Sequence, residues 1–139
     1  MQGFTEVTFV ILAFHFSAET NPAFLGTFAN NLIKTGKSTT AEIAVHPNGK
    51  LVYASNRGHD SIAVFGVGAD GALTLVEYEP TRGQTPRNFA LDPSGRWLIA
   101  GNQRSDTLAV FSVDQKTGAL TPAGELTSVP SPVSILFVN

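Results

Sequence analysis

Five polar residues between positions 42 and 88 have side chains suited to binding an anion and moving a proton. A guanidinium can hold a carboxylate or a phosphate through two parallel hydrogen bonds, and it can stabilise an oxyanion as it forms. A carboxylate whose pKa is raised by burial can act as a general base on water, and an imidazole can transfer protons near neutral pH. The five residues are Arg57 and Arg87 with the neighbouring Asn88, which could bind an anion, and Glu42 and His59, which could handle protons.

These residues lie within a sequence that repeats itself. Thr40–Asn56 reads TAEIAVHPNGKLVYASN and Thr85–Asn102 reads TPRNFALDPSGRWLIAGN. The two copies are offset by about 46 residues, which is in the range of a propeller blade. The match continues from Asp60–Phe65 to Asp106–Phe111 and from Gly71–Thr74 to Gly118–Thr121, where one additional residue separates the copies. The chain is therefore a repeat protein with a one-residue insertion in its last hairpin.

Each copy has the pattern of four strands joined by turns. His46–Gly49 and Asp92–Gly95 predict type I turns, because Pro at the second position fixes φ and Gly at the fourth leaves the turn without steric cost. The predicted strands are Ala41–Val45, Leu51–Ser55, Ser61–Val67 and Leu73–Tyr78 in the first copy, and Arg87–Leu91, Trp97–Gly101, Thr107–Val113 and Ala119–Leu126 in the second, with Ser131–Val138 beginning a third.

Four antiparallel strands at this period predict an all-β protein made of β-propeller blades. Residues 40–139 are expected to form two blades and the first strand of a third. Residues 1–39 do not fit the repeat and are expected to form an irregular segment or a degenerate blade. Their apolar run Val7–Phe14 is too short to span a bilayer as a helix, and we interpret it as a buried strand.

Residues that are identical in both copies are expected to serve the blade itself. Asn56 coincides with Asn102, and Asp60 coincides with Asp106. Both pairs lie at the ends of the loop that joins the second and third strands, where Asn and Asp side chains can bond to turn backbone. All four are therefore predicted to be structural.

Residues that differ between the copies are free for another role. Arg57 is opposite Gln103, and Arg87 is opposite Ala41, so the repeat requires an arginine at neither position. Because the strands run antiparallel, both arginines are expected at the same face of the propeller, with Arg87 beside its axis. The alternative is a structural ion pair, between Arg57 and Asp60 or between Arg87 and a neighbouring acid.

The candidate proton-transfer residues have structural alternatives too. Glu42 is opposite Asn88 at the start of the first strand, where a carboxylate is either a base near the axis or a solvated or ion-paired residue. His59 follows Arg57 closely and is the best-placed imidazole. His46 occupies the turn position of Asp92 and is expected to be a turn residue.

Charge and composition exclude several classes of partner. The formal net charge is −2 and no basic stripe is present, so neither a nucleic acid nor a membrane is expected as a partner. The chain contains no cysteine, which excludes disulfides and thiolate metal sites. No His or acidic residues have metal-ligand spacing, so we expect no metal and no other cofactor.

Several short motifs occur together in an order that resembles one known family. They are Ala41-Glu-Ile43, Tyr53-Ala-Ser-Asn-Arg57, Asp60-Ser-Ile-Ala-Val-Phe65, Thr85-Pro-Arg-Asn-Phe89, Asp92-Pro-Ser-Gly95 and Val129-Pro-Ser-Pro132. From residue 37 to 138 this order resembles the C-terminal blades of the lactonase family of seven-bladed propellers, which includes bacterial 6-phosphogluconolactonases and fungal carboxymuconate cyclases.

The resemblance implies a carboxylic-ester hydrolase of the cytoplasm that opens an anionic sugar-acid lactone, such as 6-phosphogluconolactone. It also implies a site on one face around the central channel. There Glu42, His59 and Arg87 would be catalytic, and Arg57, Arg87 and Asn88 would bind the substrate.

The number of blades predicts an incomplete ring. Closed propellers use about four to eight blades, whereas this sequence accounts for about two to three. We therefore expect either further blades N-terminal to these, in a longer protein, or assembly with other copies as a homo-oligomer. The alternative to a lactonase is a non-catalytic propeller fragment that acts as a binding or assembly module.

Overall fold

Two antiparallel β-sheets make up the fold. The computed structural model describes residues 39–138, and within them it contains strands and no helix. The first blade has the strand order β1 (Thr39–Val45), β2 (Leu51–Arg57), β3 (Ser61–Val67) and β4 (Leu73–Pro80), and the second has β5 (Pro86–Leu91), β6 (Trp97–Asn102), β7 (Thr107–Val113) and β8 (Leu120–Pro122), with β9 (Thr127–Ser128) also paired to β7. The predicted all-β, antiparallel four-stranded blades are confirmed.

Of residues 1–39, the structure describes only Thr39. The irregular segment, or degenerate blade, and the buried strand at 7–14 therefore lie outside the described residues. The division of the chain into these parts stays a prediction.

The turns and hairpins follow the repeat. Gly49 donates its N–H to the His46 carbonyl at 2.8 Å, and Gly95 donates to the Asp92 carbonyl at 2.9 Å. Both glycines have φ of 71°, a left-handed conformation that suits a residue without a Cβ. The hydrogen bond that closes the hairpin between β3 and β4 spans Gly68 to Gly71, and the one between β7 and β8 spans residues 114 to 118. The second loop is one residue longer, in agreement with the predicted insertion.

The core has two parts because β3 is apolar on both faces. Ile62 and Val64 point to one side, where they pack with buried side chains of the second blade. Ala63 and Phe65 point to the other side and pack with Leu73 and other residues of the first blade. Each large apolar side chain that is fully buried contributes about 1.5–3 kcal/mol to folding. The cluster between the blades therefore holds the two sheets against each other.

Polar contacts also join the blades. The Tyr53 hydroxyl donates to the Gly118 carbonyl at 2.8 Å, and the Leu120 N–H donates to the Glu77 carboxylate at 2.6 Å. Burial raises the pKa of the Tyr53 phenol above its usual range, with a smaller contribution from the Glu77 charge. Since the phenol stays protonated at neutral pH, it remains a donor to the second blade.

The outermost strand of the second blade differs from its prediction. One strand was expected over Ala119–Leu126, whereas the structure has β8 and β9, separated by residues 123–126. Ala123 still donates its N–H to the Val110 carbonyl of β7 at 2.8 Å, and the next residue, Gly124, has a left-handed φ of 72°. The left-handed conformation interrupts the extended strand, so this part of the prediction is wrong.

The strand predicted for Ser131–Val138 is not observed as a strand. Residues 132–138 pair with no other segment within the described part of the chain. A strand is stabilised by its ladder of backbone hydrogen bonds with a neighbouring strand, and none is present here. This segment instead contacts β5 and β6 through single residues: the side chain of Asn88 accepts the Ile135 N–H, and Pro132 lies close to Gly101.

Candidate functional site

The innermost strand of each blade contains a β-bulge at the same position of the repeat. In the first blade, Ala41 and Glu42 together face Ser55. In the second, Arg87 is the additional residue between the pairs formed by Pro86 and Asn88. A bulge bends its strand and redirects side chains, and bulges are common next to active sites. Glu42 and Arg87 thus lie at or beside the two irregular points of the inner strands.

Two aspartates fix the starts of successive inner segments. Asp60 Oδ1 accepts the Thr85 N–H at 2.9 Å, just before β5. Asp106 Oδ1 accepts the Ser131 N–H at 2.7 Å in the same way. Both aspartates have left-handed φ, 56° and 55°, which a side chain with local hydrogen bonds can tolerate. Their structural role is confirmed, and it extends to the segment that follows.

The paired asparagines also support loops. Asn102 is fully buried and donates to the Thr81 carbonyl at 2.8 Å, and Asn56 is likewise buried at the end of β2. A buried amide that bonds to backbone fixes the loop around it. The bond of Asn102 agrees with its predicted structural role, and Asn56 Nδ2 makes a longer contact, 3.5 Å, with Ser61 Oγ.

Glu42 and Asn88 are brought together across the two blades. Asn88 Nδ2 donates to Glu42 Oε2 at 2.6 Å, and Asn88 Oδ1 accepts the Ile135 N–H at 2.8 Å. The other carboxylate oxygen, Oε1, is 3.3 Å from the Ile43 N–H. The Glu42 N–H donates to Ser55 Oγ at 3.0 Å, which holds the bulge in place. A row of hydrogen bonds therefore runs from β1 through β5 to the segment that follows β9.

Arg87 lies next to this row and is exposed. No described residue accepts a hydrogen bond from its guanidinium or forms an ion pair with it, so the alternative of a structural ion pair is not observed there. An exposed guanidinium without an ion-pair partner among the described residues can bind an anion from solvent.

Arg57 and His59 lie at the same end of the sheets as Arg87, each in a different setting. Arg57 ends β2 opposite Thr39 and is half-buried. His59 Nδ1 is 2.7 Å from Ser61 Oγ, and the His59 ring meets the Tyr78 ring edge-on at 5.5 Å between centroids. Since Tyr78 belongs to β4, His59 lies over the outer half of the blade. The structure thus brings Glu42 and Asn88 into contact, with Arg87 next to Asn88 in β5, and places the His59 ring against Tyr78 of β4.

His46 has a contact that the sequence did not suggest. Its side chain is buried, Nδ1 accepts the Asn48 N–H at 3.1 Å, and Nε2 lies 2.8 Å from the Gly95 carbonyl. A neutral ring that carries its hydrogen on Nε2 makes both bonds. His46 is therefore a turn residue, as expected, and also a bridge to the turn of the next blade.

A groove lies at the opposite end of the sheets. It measures about 710 Å³, and its lining includes Lys50, Leu51, Val76 and Lys116. None of the candidate residues line it. Glu42, Arg87 and Asn88 instead lie on the inner strands β1 and β5.

Residues 39–138 contain neither a candidate metal site nor a candidate membrane-spanning helix. No group of three or more His, Asp or Glu side chains is arranged to hold a metal ion there. No helix in this part of the chain is long and apolar enough to cross a membrane.

Comparison with known proteins gives a consistent family match. The family model described as "Lactonase, 7-bladed beta-propeller" matches residues 14–137. A 6-phosphogluconolactonase of Bacillus subtilis is 42% identical over 106 residues, which are 76% of this chain and 30% of that protein. A 6-phosphogluconolactonase of Formosa agariphila is 44% identical over 72 residues, which are 50% of this chain and 20% of that protein.

A solved structure is similar over the same region. The periplasmic gluconolactonase of Pseudomonas aeruginosa is 33% identical and gives a TM-score of 0.70, with 74% of this chain and 29% of that chain covered. The chain therefore spans less than a third of the length of these three relatives.

Proposed function

The chain belongs to the lactonase family of seven-bladed β-propellers, and on this premise we propose that it contributes an active site for the hydrolysis of an anionic sugar-acid lactone such as 6-phosphogluconolactone. The relatives from Bacillus subtilis and Formosa agariphila are named for that substrate. The observation that carries the proposal is the Glu42 carboxylate on one bulged inner strand, oriented by Asn88 of the next bulged inner strand, in which the exposed Arg87 precedes Asn88.

In the proposed mechanism, Glu42 accepts a proton from a water molecule, whose oxygen attacks the lactone carbonyl carbon. The carbonyl oxygen becomes an oxyanion, and the positive charge of Arg87 stabilises it. When the intermediate collapses, the ring C–O bond breaks and the ring oxygen takes the proton from Glu42. Lactone and water are thereby converted to the open hydroxy acid, and Glu42 is regenerated as a carboxylate.

The remaining candidates take supporting roles in this proposal. Arg57 would bind the anionic group of the substrate at the same end of the sheets. Glu42 is favoured over His59 as the base because His59 lies over the outer strands, against Tyr78. A role for His59 in proton transfer stays a prediction, as does location in the cytoplasm, since a relative from Pseudomonas aeruginosa is periplasmic.

Substitution of Arg87 tests the proposal. Arg87→Ala is expected to lower the rate of lactone opening about 100- to 1,000-fold, the usual cost of removing one group that stabilises an oxyanion. Arg96→Ala is the matched control, because Arg96 is exposed at the opposite end of the same blade. Both rates are measured by titration of the acid released at neutral pH. Equal rates for the two variants would contradict the assignment of Arg87.

A second function, a non-catalytic assembly module, is favoured by one observation. Leu136 is 82% exposed and Val138 is 83% exposed. Large apolar side chains that are this exposed indicate a surface suited to another protein segment. In this alternative the two blades serve to complete a ring, and Arg87→Ala leaves assembly unchanged.

A further inference from the structure

The hydrogen bonds of Asn88 indicate a role other than the substrate binding predicted from the sequence. Its Nδ2 donates to Glu42 Oε2 at 2.6 Å, and its Oδ1 accepts the Ile135 N–H at 2.8 Å. Both ends of the amide therefore have partners within the protein. A substrate that used Asn88 as its main ligand would have to compete with a charge-assisted hydrogen bond, which is stronger than a neutral one.

The two partners of Asn88 together determine which way its amide points. The Ile135 N–H can only donate, and an ionised carboxylate can only accept. If the amide turned over, its oxygen would face the Glu42 carboxylate and its NH₂ group would face the Ile135 N–H. Both contacts would then be repulsive. The backbone of Ile135 thus keeps the amide nitrogen directed at Glu42.

We propose that Asn88 is a positioning residue that holds the Glu42 carboxylate in the orientation required for proton transfer, and that the backbone N–H of Ile135 sets the orientation of Asn88. This inference rests on the proposed function, since it assigns Asn88 to the base of that reaction. It also links three successive inner segments of the chain, because Glu42 lies on β1, Asn88 on β5 and Ile135 after β9.

The arrangement leaves Glu42 able to act as a base. Oε2 is held by Asn88, whereas Oε1 has only a longer contact, 3.3 Å, with the Ile43 N–H. Oε1 can therefore still accept a hydrogen bond from water. A base that is held in one orientation reacts faster than a freely rotating one, since a misplacement of about 1 Å can lower a rate about 100-fold.

Asn88→Ala tests whether the residue positions the base or binds substrate. We expect kcat to fall about 10- to 100-fold while KM stays within about twofold, because the base is lost from its orientation and no substrate ligand is removed. Asn48→Ala is the matched control, since Asn48 is an exposed asparagine at the opposite end of the sheets. A raised KM with an unchanged kcat would overturn the inference.

Asn88→Asp gives a second kinetic readout. The variant places two carboxylates in contact, and such a pair holds on to one proton to a higher pH than a single carboxylate does. The acid limb of the pH–rate profile is therefore expected to move up by more than about one pH unit, whereas Asn48→Asp leaves it in place. An unchanged acid limb in Asn88→Asp would contradict the contact with Glu42.

A measurement by NMR separates this inference from the proposed function. In the parent chain, the Asn88 side-chain amide resonances are expected to shift as pH is lowered and Glu42 takes up a proton. In Glu42→Gln that shift is expected to disappear. If the parent opens no lactone but the coupled shift is present, the proposed function fails and the hydrogen bond between Asn88 and Glu42 stands. If no coupled shift is seen, the inference is overturned whatever the activity.

Discussion

Arg87 and Glu42 differ from the residues opposite them in the other copy, and this difference identified them in the sequence. Asp60 and Asp106 coincide in the two copies, which predicted a structural role for both. Their hydrogen bonds to the next inner segment agree with that prediction. The two internal copies thus distinguish residues that the blade requires from residues that are free for another role. The comparison could not reveal the bond between Asn88 and Glu42, because it depends on how the two blades pack.

The position of the His59 ring could not be predicted from its place in the sequence. It follows Arg57 closely in the chain, which suggested a shared site. In the structure, its ring lies against Tyr78 of the outermost strand of the first blade. Closeness in sequence across a loop does not determine where each side chain points, and packing on an aromatic ring decided the position of His59.

The replacement of Glu42 by glutamine is the most specific test at the residue scale. The glutamine side-chain oxygen can still accept the hydrogen bond of Asn88, so the fold is expected to be kept while basicity is lost. We expect kcat to fall about 100- to 10,000-fold, the usual contribution of a general base.

Glu125→Gln is the control for this substitution, because Glu125 is exposed between β8 and β9. Lactone opening is followed at neutral pH, and circular dichroism checks that both variants are folded. Full activity in Glu42→Gln would exclude Glu42 as the base.

The turns show what could be predicted at the scale of elements. Pro and Gly at fixed positions predicted both turns from local chemistry, and β3 and β7 were predicted with their observed ends. The split of β8 from β9 and the unpaired segment 132–138 were not predicted. Pairing with a neighbour decides whether such segments become strands, and apolar periodicity does not report on the neighbour.

Two glycines occupy equivalent positions in the turns of the two blades, so the free energy of unfolding can be compared when each is replaced by alanine. Gly49 and Gly95 share a φ of 71°. A Cβ on Gly49 would meet nothing within 4 Å, whereas a Cβ on Gly95 would overlap the imidazole of His46. Gly49→Ala is expected to lower the free energy of unfolding by about 1–2 kcal/mol, the cost of the left-handed conformation.

Gly95→Ala is expected to cost about 1–3 kcal/mol more than Gly49→Ala, because the imidazole must move and its bond to the Gly95 carbonyl is strained. Urea unfolding of both variants measures the difference. If both variants lose the same free energy of unfolding, the hydrogen bond from His46 to Gly95 does not stabilise the packing of the two blades.

At the scale of the whole molecule, the described residues account for two blades of a family whose model has seven. Leu136 and Val138 expose more than four-fifths of their surface. Arg87 is likewise exposed on the inner strand β5. We therefore expect lactone opening to depend on the surfaces that surround these two blades in a closed ring.

The rate at which the purified chain opens 6-phosphogluconolactone, compared with the uncatalysed rate in the same buffer, tests the account most directly. Fractions separated by size, with the mass of each determined by light scattering, are assayed one by one against a single-chain mass of 14.7 kDa. The account predicts acceleration in fractions heavier than one chain, and loss of that acceleration in Glu42→Gln and Arg87→Ala. No acceleration in any fraction, at any chain concentration, would contradict it.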